Sequence, residues 1–270
     1  MLDTATVGFI GGGNMGEALI RGILQAGLLA PERLVVFDVS RERLEHLEGA
    51  YGVVRAETLS ACAQASQVII VAVKPQNMGE VLESMAPSTP HRPLVISIAA
   101  GVPIQTIEAA LPQGIPVIRV MPNTPALVQQ GASALARGTH AEDTHMEAAL
   151  TLFRSVGIAH ELDEKLLDAV TGLSGSGPAY VLHFLESLTD GGVLMGIPRP
   201  VARDLVVQTV MGTARMILET GRHPSQLKDM VTSPGGTTIH GLEVLEKEGV
   251  RGAIMGAVRA ATERSKALGG

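Results

Sequence analysis

Val7-Gly8-Phe9-Ile10-Gly11-Gly12-Gly13-Asn14-Met15-Gly16 runs from an apolar strand pattern through G-x-G-x-x-G into a helical pattern. Each glycine has a separate task. Gly11 allows the tight turn, Gly13 lets a pyrophosphate reach the backbone, and Gly16 lets the helix pack against the strand. A strand before the motif and a helix after it make this the opening of a βαβ unit that cradles a dinucleotide.

Working outward, short apolar runs at Thr6–Ile10, Leu34–Phe37, Val68–Val73, Leu94–Ala99 and Ile115–Val120 read as strands. Most are continuous rather than alternating, as expected for strands covered on both faces. Met15–Ala26, Ser40–Tyr51, Asn77–Met85 and Ile104–Leu111 read as the helices between them. The alternation predicts a doubly wound, mainly parallel Rossmann-type sheet over residues 1–161.

Beyond residue 161 the pattern is all-helical, giving a second domain over 162–270. Leu166, Leu167 and Val170 form one stripe. Ser176-Gly177-Pro178 offers a cap and a first-turn proline for a helix carrying Tyr180 to Met195. Pro198 and Pro200 stop that helix, and Val201–Leu218 starts another, closed by Gly221. Further helices fit Pro224–Val231, Thr237–Lys247 and Arg251–Leu268. Several stripes are apolar over more than half their circumference, so part of this surface is expected to face a partner chain.

Composition excludes several classes. The chain has 270 residues and a net charge of −6, without a basic cluster for nucleic acid or an anionic membrane. No apolar run approaches the ~20 residues of a membrane span. Met1-Leu2-Asp3-Thr4-Ala5 enters a strand at once and lacks a signal-peptide pattern, so a cytoplasmic location is expected. Cys62 is the only cysteine and reads as a small apolar filler. The eight histidines give no metal spacing; His140 and His145 sit at an exposed helix start, and no metal site is expected.

Ser233-Pro234-Gly235-Gly236-Thr237-Thr238 opens a helix. Two glycines turn backbone N–H groups toward one point, and the helix start adds unpaired donors and the positive dipole end. Such a loop can hold a carboxylate without Arg or Lys. The alternative is an ordinary turn.

The candidate cofactor contacts cluster at strand ends: Ile10, Gly11, Gly12, Gly13, Asn14 and Met15 after the first strand, and Asp38, Ser40 and Arg41 after the second. Asp38 lies 22 residues beyond Gly16, where a carboxylate accepts from ribose hydroxyls and favours NADH. Arg41 and Arg43 are close enough to meet the 2′-phosphate of NADPH, with Ser40 beside them; a solvated helix face is the other reading of both arginines. Ala72, Val73, Lys74 and Pro75, then Ala99, Ala100 and Gly101, line the same sheet edge. Lys74 could touch ribose or a substrate carboxylate, or be a surface lysine. Asn123 could support the nicotinamide end.

Val170-Thr171-Gly172-Leu173-Ser174-Gly175-Ser176-Gly177-Pro178-Ala179-Tyr180 and Asp229-Met230-Val231-Thr232-Ser233-Pro234-Gly235-Gly236-Thr237-Thr238-Ile239-His240 closely resemble two signatures of pyrroline-5-carboxylate reductases. The glycine motif, Ala72–Pro75, Ala99–Gly101 and Met121–Pro125 fall in that family's order and spacing, so the resemblance spans the chain. It implies reduction of 1-pyrroline-5-carboxylate to L-proline with NADPH or NADH, the last step of proline biosynthesis. It also implies a helical C-terminal domain that interleaves with a second copy to form a homodimer, with a pentamer of dimers in some members. It makes Thr238 the catalytic candidate, hydrogen-bonded to the ring nitrogen. Ser233, Gly235, Gly236 and Thr237 would hold the substrate carboxylate, with Glu164, Ser174 and Ser176 near the substrate. Glu164 also reads as a first-turn acid, and Ser176 as a cap. Asp38 departs from the NADPH preference of many members, and Met230 replaces a polar residue found in some.

Two rivals share parts of this pattern. A β-hydroxyacid dehydrogenase would place an acid/base lysine on the first C-terminal helix, where this chain offers only Lys165. A non-catalytic nucleotide sensor would not need the Ser233–Thr238 loop.

Overall fold

The computed structural model describes residues 2–269; Met1 and Gly270, the outer ends of the two expected domains, lie outside them. The chain forms two compact units, one running to Ser176 and taking in the chain from Ala260 onward, the other Gly177–Arg259.

The first unit is built on eight strands: β1 Val7–Ile10, β2 Leu34–Phe37, β3 Val54–Arg55, β4 Val68–Val71, β5 Leu94–Ser97, β6 Val117–Met121, β7 Gly131–Arg137 and β8 Gly157–Glu161. Their order is β3-β2-β1-β4-β5-β6-β7-β8. From β3 to β6 all pairs are parallel, with Val7 opposite both Leu34 and Val68. β7 runs antiparallel to β6, and β8 parallel to β7. The expected doubly wound, mainly parallel sheet is therefore present. It carries three strands beyond the five expected. β3 has two residues, and the Gly131–Arg137 run is built on alanine and glycine, which gives no apolar strand signal. A short 3-10 turn over Leu2–Thr4 also precedes β1, so the chain does not enter the strand at once.

Helices cover both faces. α1 (Asn14–Gln25), α2 (Arg41–Tyr51) and α6 (Asp143–Arg154) lie over one. α3 (Leu59–Ala65), α4 (Met78–Met85) and α5 (Ile104–Ala110) lie over the other. Successive strand residues feed opposite cores: Val7 and Phe9 meet Leu19, Ile20 and Phe153, while Ile10 and Val71 share a core with Leu82, Met85 and Ile107. This is the pleat of a strand buried on both sides. Cys62 is fully buried in the second core, and burial pushes its thiol up to about 12. His145 accepts the Glu142 N–H on Nδ1 at 2.9 Å, closing the start of α6.

α7 (Leu167–Val170) continues into a π turn over Thr171–Gly175, closed by Ser176 N–H donating to the Thr171 carbonyl at 2.8 Å. Ser176 has helical backbone angles, φ −86° and ψ −20°, so it stands inside helical structure and not at the expected cap. In the second unit, α8 (Gly177–Leu194), α9 (Arg199–Thr220), α10 (Pro224–Met230) and α11 (Thr237–Lys247) follow, with α12 spanning Val250–Gly269. Pro200 falls in the first turn of α9, where its missing N–H has no intrahelical role. Large apolar side chains on these helices lie open, among them Leu194, Leu205, Met211, Leu218 and Met255. Among the described residues no helix is long and apolar enough to cross a membrane.

Candidate active site

The parallel strands β1, β2, β4, β5 and β6 end on one edge, where open doubly wound sheets bind ligands. Ile10 ends β1, and its carbonyl takes the Ala72 N–H at 2.8 Å. Gly11 turns at φ +101°, and a Cβ there would stand 2.5 Å from the Ala72 carbonyl oxygen. Gly16 is equally confined, its Cβ position 2.7 Å from the Gly11 carbonyl oxygen. By contrast, nothing lies within 4 Å of a Cβ on Gly13. Gly13 and Asn14 are exposed at the start of α1, and Gly13 caps it without a side-chain bond. The first-turn amides and the open space above them suit a pyrophosphate. Met15, half-buried, packs against the core beneath.

Asp38 follows β2. Its Oδ2 accepts the Gly12 N–H at 2.7 Å and its Oδ1 the Ser40 N–H at 2.8 Å. Both bonds fix the carboxylate while leaving lone pairs for ribose hydroxyls. Ser40 accepts the Arg43 N–H at 3.3 Å and so caps α2. Arg41 is exposed and pairs with Glu45 at 3.1 Å, the solvated-face reading. Arg43 donates through Nε to the Gly12 carbonyl and through Nη2 to Glu17. Val39, between Asp38 and Ser40, is 94% exposed, an apolar surface beside the Asp38 carboxylate that a single valine in the sequence does not signal.

Ala72 and Val73 are half-buried after β4, whereas Lys74 and Pro75 are exposed. After β5, Ala99 is buried and Ala100 exposed, and Gly101 turns at φ +76°. Asn123, after β6, has both ends of its amide engaged: Oδ1 accepts the Ala132 N–H at 2.8 Å and Nδ2 donates to the Ser174 carbonyl at 3.0 Å. It clamps the β6–β7 corner to the π turn. Ser174 also donates its hydroxyl to the Val170 carbonyl at 3.2 Å.

Glu164 is held from two sides. Its Oε1 accepts the Ile104 N–H at 2.7 Å and a guanidinium N–H of the buried Arg119 at 2.9 Å. The carboxylate thus covers the start of α5, not the first turn of its own helix. Arg119, inside an apolar strand run, gave no sign of this partnership. Lys165 is exposed and paired with Asp163 at 2.8 Å, which raises its pKa through that hydrogen bond and charge. A dehydrogenase-type acid/base lysine would need the opposite shift.

In the second unit, Ser233–Thr238 opens α11. Gly235 adopts φ +63°, and Gly236 precedes the helix with an extended backbone. The Gly236 N–H donates to the Ser233 carbonyl at 3.1 Å, so this amide closes the turn. Thr237 and Thr238 follow as the first two residues of α11, where amides lack an intrahelical acceptor. Thr237 is exposed and Thr238 half-buried. Nearby, the Arg222 guanidinium meets Met230 Sδ at 3.1 Å.

The family model described as pyrroline-5-carboxylate reductase dimerisation matches residues 164–268. One described as NADP oxidoreductase, coenzyme F420-dependent, matches residues 6–101. A pyrroline-5-carboxylate reductase of Methanosarcina acetivorans is 47% identical over 268 residues, 99% of each chain. A solved pyrroline-5-carboxylate reductase from Coxiella burnetii superposes with a TM-score of 0.95 at 34% identity, covering 99% of this chain and 100% of that one. The Plasmodium falciparum enzyme, solved with NADP bound, gives 0.89 at 36% identity with both chains fully covered. With a Rossmann-type unit, a helical unit and full-length identity of this order, the chain belongs to the pyrroline-5-carboxylate reductase family of oxidoreductases.

Proposed function

We propose that this protein reduces 1-pyrroline-5-carboxylate to L-proline with a reduced nicotinamide dinucleotide, the final step of proline biosynthesis. The observation that carries the reading is 47% identity to a pyrroline-5-carboxylate reductase across 99% of both chains. The division of labour follows residues 1–161 for the dinucleotide and 162–270 for substrate and self-association.

Gly13 and Asn14 meet the pyrophosphate over a turn that Gly11 and Gly12 shape and Met15 backs, and Asp38 receives the adenosine ribose. Ala72–Pro75 and Ala99–Gly101 line the sheet edge toward the nicotinamide. The dinucleotide supplies a hydride when bound. A cyclic imine accepts hydride far better with its ring nitrogen protonated, and that iminium forms in water near neutral pH. The chain therefore has to position the ring rather than supply a strong acid. The first-turn amides of Thr237 and Thr238 suit the substrate carboxylate. The Thr238 hydroxyl accepts from the ring N–H and orients it. Ser174 and Glu164 act by shaping the π turn and the start of α5.

Asp38 favours NADH. The exposed apolar helices of the second unit make a homodimer in the cytoplasm, which either stands alone or assembles with four others into a decamer. Light scattering on the 28.1-kDa chain distinguishes two copies from ten.

The test is oxidation of NADH and NADPH by purified protein, each with and without pyrroline-5-carboxylate. Substrate-dependent oxidation is the expected result, faster with NADH at equal low concentrations. Absence of turnover in folded, dinucleotide-binding protein overturns the assignment.

A further inference from the structure

α1 and α2 share a polar cluster that neither the nucleotide cradle nor the substrate loop accounts for. Glu17, in the first turn of α1, faces three residues of α2. Its Oε2 takes the Arg43 guanidinium, while Oε1 accepts the Tyr51 hydroxyl at 2.8 Å and meets His46 Nε2 at 3.1 Å. Partial burial alone would raise the Glu17 pKa. Hydrogen bonds from His46, Tyr51 and Arg43, with the Arg43 charge, outweigh it and hold the group at about 2. The carboxylate is therefore a fixed anion anchored by several donors.

Gly12 connects this cluster to the nucleotide end. Its N–H is held by Asp38, and its carbonyl accepts from Arg43 Nε. The Arg43 side chain lies along the same glycine, its Cγ 3.6 Å from where a Cβ would stand. Asp38 and Arg43 thus meet one residue from two directions. A guanidinium beside the ribose would pair bidentately with a 2′-phosphate. In this chain the Nε–Nη2 edge of that guanidinium is engaged, Nε by the Gly12 carbonyl and Nη2 by Glu17, and Arg41 is occupied by Glu45.

We propose that Glu17 is a specificity-determining positioning residue: by holding Arg43 against α1, it leaves Asp38 as the charge that meets the ribose and keeps the site selective for NADH. The proposal rests on the reductase reading for its ligand, but its test needs only dinucleotide binding.

NADH and NADPH are titrated by their own fluorescence against wild type, Glu17→Gln, Arg43→Met and the double variant. Glu17→Gln should raise NADPH affinity relative to NADH about tenfold by freeing the guanidinium. Adding Arg43→Met should abolish that gain. Arg43→Met alone should leave the ratio of the two Kd values within about twofold of wild type, because the group is already sequestered. An unchanged ratio in Glu17→Gln overturns the proposal. So does a gain that survives in the double variant, which would reflect only a lost negative charge. If Glu17→Gln does not fold, a selective loss of NADPH affinity in Arg43→Met refutes sequestration and an unmoved ratio supports it. Binding of neither dinucleotide by wild type would overturn both this proposal and the reductase reading; binding of both with an unmoved Glu17→Gln ratio overturns this proposal alone.

Discussion

Replacing Glu164 with alanine removes the one carboxylate that both Arg119 and the start of α5 depend on. Arg119 keeps only 9% of its side chain exposed and Glu164 33%. Removing one partner of a buried ion pair strands the other, which costs about 3–5 kcal/mol. The partial exposure of Glu164 places this pair at the lower end, ~3 kcal/mol, with the lost acceptor of the Ile104 N–H included. In a protein of this size that lowers the thermal midpoint by roughly 6–12 °C. Glu164→Gln keeps an oxygen for the Ile104 amide and should lose about half as much. Arg119→Met with Glu164→Leu removes both charges and should recover much of the difference. Calorimetry of the four proteins decides the matter. A Glu164→Ala midpoint within about 2 °C of wild type would refute a structural role for the pair. A double variant less stable than Glu164→Ala would refute the stranded-charge account.

Three further outcomes are expected. Thr238→Ala lowers kcat/KM for pyrroline-5-carboxylate roughly 10- to 100-fold, the loss of one useful hydrogen bond at ~1.4–2.7 kcal/mol; near-wild-type kinetics would remove Thr238 from the mechanism. Asp38→Ala weakens NADH binding more than NADPH binding, and an equal effect on both Kd values would sink the ribose assignment. Glu17 gives an acid signature: its folded pKa of about 2 lies below the ordinary 4.5, so its stabilisation is present above pH 4.5 and is lost as pH falls toward 2. Solvent screening keeps this to about 1–2 kcal/mol. Urea midpoints against pH should fall less steeply in that window for Glu17→Gln; parallel curves would contradict the assignment.

The parts legible in the sequence were those with local causes. Val7–Gly16 combines an apolar strand with glycines whose spacing answers to one ligand, and α11 begins at Thr237 as the Gly235-Gly236 turn requires. The 3.6-residue periodicity of the helical half was equally plain. β7 escaped because Gly131–Arg137 offers alanines and glycine in place of large apolar residues, and its burial comes from neighbours on both faces. The Arg43–Glu17 and Arg119–Glu164 pairs escaped for another reason. Each joins elements separated by 26 and 45 residues, and charge alone does not reveal which opposite charge it will meet. The two bonds that Asn123 makes, from the Ala132 N–H and to the Ser174 carbonyl, likewise join segments distant in sequence and leave no trace in it. The Gly-Gly pair suggests two free donors, but the Gly236 N–H closes the turn onto the Ser233 carbonyl.

The Gly11–Gly12 turn is tied by the chain's own groups: Gly11 N–H to the Phe37 carbonyl, Gly12 N–H to Asp38, and the Gly12 carbonyl to Arg43. Only Gly13 and Asn14 present an open edge. A cradle of this kind does not have to condense around the dinucleotide. Binding then carries little ordering entropy from the loop, and its heat-capacity change reports the ligand's own buried surface rather than a disorder-to-order transition in the protein.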